Sequence, residues 1–242
     1  AFPFFLCNKR KIVKIVGIVA ISAVIIMTAS RAVFLSLFLI YSLYLFIIKK
    51  RITTLITIWT TVVIFIAGIF QLRESENPRL NELANSFQAV SLYLAGDLNT
   101  GGSVEWRREL VENGLKAFND SYGIGIGSGG SVAHQEQIGP VDGRFTSMHN
   151  FWIELLVEGG VFIFLILFFW ISSIIYNLFK ISKVSKNRRI KYYSESLFLS
   201  TIAFIPAAIA ASSTIYFFPM WIIFALSVSI IRISNKCNHQ NI

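Results

Sequence analysis

Hydrophobic and polar positions fall along this chain in long blocks. Apolar runs near residues 12–29, 32–48, 52–70, 159–179, 196–211 and 215–231 each approach the ~20 residues that a helix needs to cross a ~30 Å hydrocarbon core. Several are short, so tilt and snorkelling of flanking residues are expected. A long polar segment, 71–148, separates the third run from the fourth. Within it, Leu80, Leu83, Ala84, Phe87, Val90 and Leu94 form one helical stripe after an Asn77–Pro78 start, and Val104, Val111, Leu115 and Phe118 form another after Ser103 as N-cap. The pattern predicts an all-α polytopic membrane protein of about six transmembrane helices, with one large extracytoplasmic loop containing amphipathic helices. The expected divisions are the end of a preceding span with a cytoplasmic turn (1–11), three spans (12–70), the outer loop (71–148) and a helix opening at His149 (149–179). A basic cytoplasmic loop (180–195) and two spans with a cytoplasmic tail (196–242) complete the chain.

Composition supports the membrane reading, since 55% of residues are apolar, 14% are charged and mean hydropathy is +0.64, against about one quarter charged in soluble domains. A net charge of +9 raises nucleic acid as a partner, but its distribution excludes that. Of the thirteen acidic residues, all but Glu154, Glu158 and Glu195 lie in 71–148, whereas basic clusters stand at Lys9–Lys14, Lys49–Arg51, Lys180–Lys191 and Arg232–Lys236. These clusters fall at alternate ends of successive spans, the positive-inside pattern, which puts them in the cytoplasm and 71–148 outside. Cys7 and Cys237 both fall on the inner side, so no disulfide framework is expected. The start AFPFFLCNKR, without an initiator Met or signal-peptide charge pattern, is expected to be the inner end of an earlier span of a larger protein.

Candidate chemistry gathers on the outer side. Arg31, between the first two spans, is the one basic residue outside the long loop that this topology sends there, and an arginine between apolar helices marks an anionic partner or a pathway; the competing reading is a side chain snorkelling to lipid phosphate. Arg107 and Arg108 flank the stripe of the 103–120 helix, with pairing to Glu105 or Glu112 as the alternative for either. Gly125-Ile126-Gly127-Ser128-Gly129-Gly130 matches the dinucleotide string GxGxxG, but no strand precedes it and it lies outside the cell, so a connector with a shaping role near the site is the better reading. Arg144 precedes His149 and Asn150, which open the fourth long helix. At ~1.5 Å per residue, Glu154 and Glu158 lie roughly 7 and 13 Å along the axis from His149, and with Asn150 they share one face, which favours a polar cavity. Plain capping is the alternative for Asn150, and interfacial solvation for the glutamates. His134 and His149 have no third His or Cys nearby, so no metal site is expected. Histidine with several arginines at a membrane surface suits reaction on an anionic, lipid-linked substrate, because arginine binds phosphate bidentately and histidine accepts protons near neutral pH.

Three pieces in order carry a family resemblance: Ser30-Arg31 at a helix junction, Arg107 leading to Gly125-Ile126-Gly127, and His149-Asn150 followed by Glu158-Gly159-Gly160. Over roughly residues 20–175 the chain resembles the C-terminal region of bacterial O-antigen ligases and Wzy-type O-antigen polymerases. The ligase pattern of His-Asn, nine residues, then Gly-x-x-Gly is met at Gly160 and broken at Ile163. The resemblance implies a metal-independent glycosyltransferase, without cofactor, that uses an undecaprenyl-diphosphate-linked oligosaccharide at the outer face of the bacterial cytoplasmic membrane. It gives Arg31 and Arg107 the diphosphate, with Arg108 as substitute, and makes His149 the base or orienting group for the acceptor hydroxyl. Asn150, Glu154, Glu158, Arg144, Gly125 and Gly127 support them. The broken pattern favours a polymerase of repeat units for O-antigen, capsule or a related polysaccharide over a ligase or protein oligosaccharyltransferase. Membrane lipid, and the pathway's chain-length regulator and flippase, are the implied partners. A flippase or transporter, and a non-catalytic assembly scaffold, are the competing classes.

Overall fold

A computed structural model of the chain describes residues 1–28, 31–54, 56, 59–60, 103–138, 148, 150–210 and 218–239, and among these the ordered secondary structure is helical throughout. The elements are α1 (Phe2–Leu6), α2 (Lys11–Thr28), α3 (Arg31–Leu43, widening into a π turn at Tyr44–Ile48), α4 (Ser103–Asp120), α5 (Gly130–Ile138), α6 (Phe151–Val184), α7 (Arg188–Ala207) and α8 (Phe218–His239). Among the described residues two stretches, Phe151–Val184 and Phe218–Cys237, are long and apolar enough to cross a membrane, and Leu35–Ile48 is a shorter apolar helix. The expected amphipathic helix at 77–95, and most of the run at 52–70, lie outside the described residues.

The centre of the bundle is α7, which packs against α1, α3, α6 and α8. Its sequence explains why four neighbours fit: Ser194, Ser196, Ser200 and Thr201 are buried, and residues this small let helix backbones approach. Ser200 and Thr201 donate their hydroxyls to Ser196 O and Leu197 O one turn back, at 2.8 Å each, which satisfies these polar groups without a neighbour. Around α7 the core collects Leu6, Tyr44, Ile171, Leu178, Leu197 and Phe224. The outer face of α6 is the reverse, with Phe162, Ile166 and Phe169 79%, 70% and 64% exposed. An apolar stripe of this kind would be a liability in water and suits a lipid surround.

Both α6 and α7 run beyond the apolar blocks that announce them. Ser185–Asn187 alone separate them, because Asn187 accepts from Arg189 N and Ile190 N and so starts α7 at once. At the other end, Pro206 lies inside the last turn of α7, and the indole of Trp152 donates to Ile205 O at 2.9 Å, filling a terminal carbonyl. Rings of Phe151, Trp152, Phe204 and Phe224 meet edge-on at 5.1–5.8 Å and hold the start of α6 against α7 and α8.

Candidate functional site

The first ten residues of α6 form a segment of their own, because Gly160 departs from helical geometry at φ 74°, ψ 177°. Such a break strands the carbonyls of Val157 and Glu158 and the amide of Val161, since their normal partners lie across it. The glycine-rich connector after α4 supplies all three replacements. Ile126 N donates to Val157 O at 2.9 Å, Gly127 N donates to Glu158 O at 3.1 Å, and Val161 N donates to Gly123 O at 3.0 Å. Close approach requires glycine on both sides. A Cβ on Gly125 would lie 2.5 Å from Gly160 N and 2.6 Å from Glu158 O, and one on Gly160 would collide with the Ile124 carbonyl. The connector therefore shapes the helix, as its composition suggested, and the amides of Ile126 and Gly127 are spent on protein carbonyls rather than open to a phosphate.

Helices α4 and α5 pack over this segment. The fully buried line of α4 is Leu110, Gly114 and Ala117, while Val111, Leu115 and Phe118 are only half-buried. The stripe expected from large apolar residues is thus rotated, because contact with α6 is made where side chains are small. Gly114 opens the space that Met148 fills: a Cβ there would run into the Met148 methyl, with Val157 Cγ2 beyond it at 3.5 Å. Met148 is 1% exposed. On the other side of His149, Asn150 accepts from Trp152 N at 3.2 Å and Ile153 N at 3.3 Å as the N-cap of α6. Both chain neighbours of His149 are therefore fixed, one by burial and one by capping.

Polar contacts tie α5 to the same segment and to α4. Ser131 donates to Glu158 Oε1 at 2.6 Å. Gln135, 2% exposed, donates to Leu110 O at 3.0 Å and accepts from Asn113 Nδ2 at 3.4 Å. Beside it, His134 Nε2 is buried without a hydrogen-bond partner among the described residues.

The sequence candidates divide accordingly. His149 and Arg144 lie outside the described residues. Arg31 opens α3 and Arg107 lies near the start of α4, with the side chains of both outside the description. Arg108 is ion-paired with Glu112 at 2.9 Å, the alternative weighed for it. Asn150 caps, and Glu154 sits in the first turn of α6, where its charge suits the helix dipole. Glu158 anchors α5 through Ser131. Sequence reasoning passed over Gly114, Ser131 and Gln135, and read Gly160 only as a motif glycine, without the helix break it makes; the burial of Met148 was likewise not foreseen. The Gly159–Gly160 pair was the one available signal, a double helix breaker just inside a helical pattern.

A family model described as O-antigen ligase matches residues 16–168, a stretch that holds every candidate above. The teichuronic acid biosynthesis protein TuaE of Bacillus subtilis (strain 168) is 27% identical over 131 residues, 54% of this chain and 27% of that protein. The chain spans about a quarter of the length of this curated relative.

Proposed function

From the premise that the chain belongs to the O-antigen ligase family, we propose that it is a glycosyltransferase that polymerises undecaprenyl-diphosphate-linked oligosaccharide repeat units in surface polysaccharide synthesis. It would work in the bacterial cytoplasmic membrane, as a multi-pass protein of about six spans with its site facing outward. The observation that carries this reading is the clamp of Gly123–Gly127 on the break at Gly160, with Met148 and Asn150 held beside it. A general base needs fixed geometry relative to a bound acceptor, and the described residues on either side of the His149 position are held by burial and by capping.

In the proposed reaction an acceptor hydroxyl oxygen bonds to the anomeric carbon of the donor sugar. The bond from that carbon to the diphosphate oxygen breaks, and its electrons leave on undecaprenyl diphosphate. His149 takes the hydroxyl proton, while Arg31 and Arg107 hold the diphosphate and offset the charge it gains. No step requires a metal ion. Arg108, engaged with Glu112, is the weaker candidate for the diphosphate.

Ile163 favours polymerase over ligase, since the second glycine of the ligase pattern is absent there. TuaE, named for teichuronic acid biosynthesis, supports an envelope polysaccharide as product. Expression of His149→Ala, Arg31→Ala and Arg107→Ala in cells, followed by sizing of surface glycan and of carrier-linked precursor, tests the assignment. A polymerase leaves single repeat units on the carrier at the outer leaflet. Long chains left on the carrier indicate a ligase, and precursor trapped on the inner leaflet indicates a flippase; either result overturns the polymerase reading.

A further inference from the structure

Far from the broken helix, the other end of the bundle holds a cavity of about 690 Å³. Asn150 and Ser185 bracket the 34 residues of α6, and the part beyond Gly160 alone is roughly 37 Å long at ~1.5 Å per residue. Three chain turns meet at this end. The α1–α2 turn and the start of α2 bring Lys9, Lys11 and Lys14, the turn after α3 brings Lys49, and the α6–α7 turn with the start of α7 brings Lys186, Arg188 and Lys191. Glu195 is the one carboxylate in the lining. These cations form no ion pair among the described residues, and the positive end of α7 adds to their field. Polar groups suited to an anion line the same space: Tyr44, whose oxygen accepts from Lys14 Nζ at 2.9 Å and so keeps its own proton to donate, with Asn8 and Ser185.

A second observation bears on what carries the anion. Helix α2 leaves the cavity with Ile12, Ile15, Val16 and Val19 78%, 61%, 61% and 62% exposed. Their spacing makes one apolar stripe down the helix that supplies Lys11 and Lys14. A soluble anion has no use for this stripe, whereas an acyl chain would lie along it.

We infer that this cavity is a binding site for the phosphate head group of an anionic phospholipid, with its acyl chains along α2. Basic pockets between helices at a membrane surface take such head groups. Glu195 limits the affinity. Burial pushes its carboxyl up from the ordinary value while Lys191, Lys49, Lys183 and Lys9 pull it down, so its charge opposes the anion whenever it is ionised.

The test is titration of phosphatidylglycerol into the intact detergent-solubilised protein, read by native mass spectrometry and by Tm. Saturable binding with a rise in Tm is expected, weakened about tenfold or more in Lys49→Ala/Lys191→Ala. Glu195→Gln, which removes a charge without touching a cation, should tighten binding and keeps the test decisive if the double variant fails to fold. Equal binding of zwitterionic phosphatidylcholine, or affinities unchanged in both variants, would overturn the site. Inorganic pyrophosphate that raises Tm as much as the lipid, in the absence of lipid, would overturn the lipid as its source.

Discussion

Gly160 combines two constraints that no other residue type meets. Its φ of 74° with ψ near 180° lies in a region essentially closed to side chains, and the Ile124 carbonyl occupies the place of a Cβ. Gly160→Ala should therefore lose more than the roughly 1–3 kcal/mol of backbone strain alone, read as a lower midpoint of thermal or denaturant unfolding in detergent. Gly127→Ala is the control. Its φ is 88° but nothing lies within 4 Å of the added Cβ, so it should lose strain energy only, and equal losses in the two variants would contradict the clamp. Gly114→Ala tests the same site by a different route, since the added methyl must displace the end of the buried Met148 side chain. Transfer activity should fall further than stability does, because the displaced residue is next to His149. Little of this was legible beforehand. Asn150 announced its cap through residue type and position, but Gly160, though part of the family motif, stood at the start of an apolar run read as one span, and a glycine's contacts leave no trace in hydropathy.

At the level of elements, α5 is held by polar contacts more than by apolar area. Ser131→Ala removes the hydroxyl that donates to Glu158, and leaving that part-buried acceptor without its partner should cost about 1–3 kcal/mol. Faster hydrogen exchange confined to 130–138 and the adjoining glycine connector is the expected signature, and unchanged protection there would show that the pair contributes nothing. Trp152→Phe should cost about 0.5–1.5 kcal/mol by freeing Ile205 O while keeping most of the ring packing. Helices were the part of the fold that the sequence announced best, because apolar runs and basic clusters mark them from a distance. The packing face of α4 was read one step off for a physical reason: hydropathy weights large side chains, whereas contact with α6 is made through Leu110, Gly114 and Ala117. Arg108 was offered to substrate by the family resemblance as a substitute for Arg107, and its pairing with Glu112 one turn on is the alternative that its position beside the stripe had left open.

On the scale of the molecule, α6 links two differently built ends across an apolar middle. One end is specified by backbone hydrogen bonds and glycine contacts around Gly160; the other gathers cations around a cavity, with no carboxylate ion-paired to them among the described residues. Helix α7 stands between them as the common packing partner, with no ionisable residue from Leu197 to the end of the helix, which suits a scaffold better than a route for a charged solute. The proposed catalysis would fall at the end that carries the residues of the family resemblance. The most direct check uses purified protein with an undecaprenyl-diphosphate-linked repeat unit as the only donor and acceptor, following product length and released undecaprenyl diphosphate together. The wild type should make carrier-linked chains of increasing length with one undecaprenyl diphosphate freed per linkage, and His149→Ala should be slower by about 10²–10⁴-fold, the usual contribution of a general base. A folded His149→Ala protein that polymerises at the wild-type rate would contradict the account.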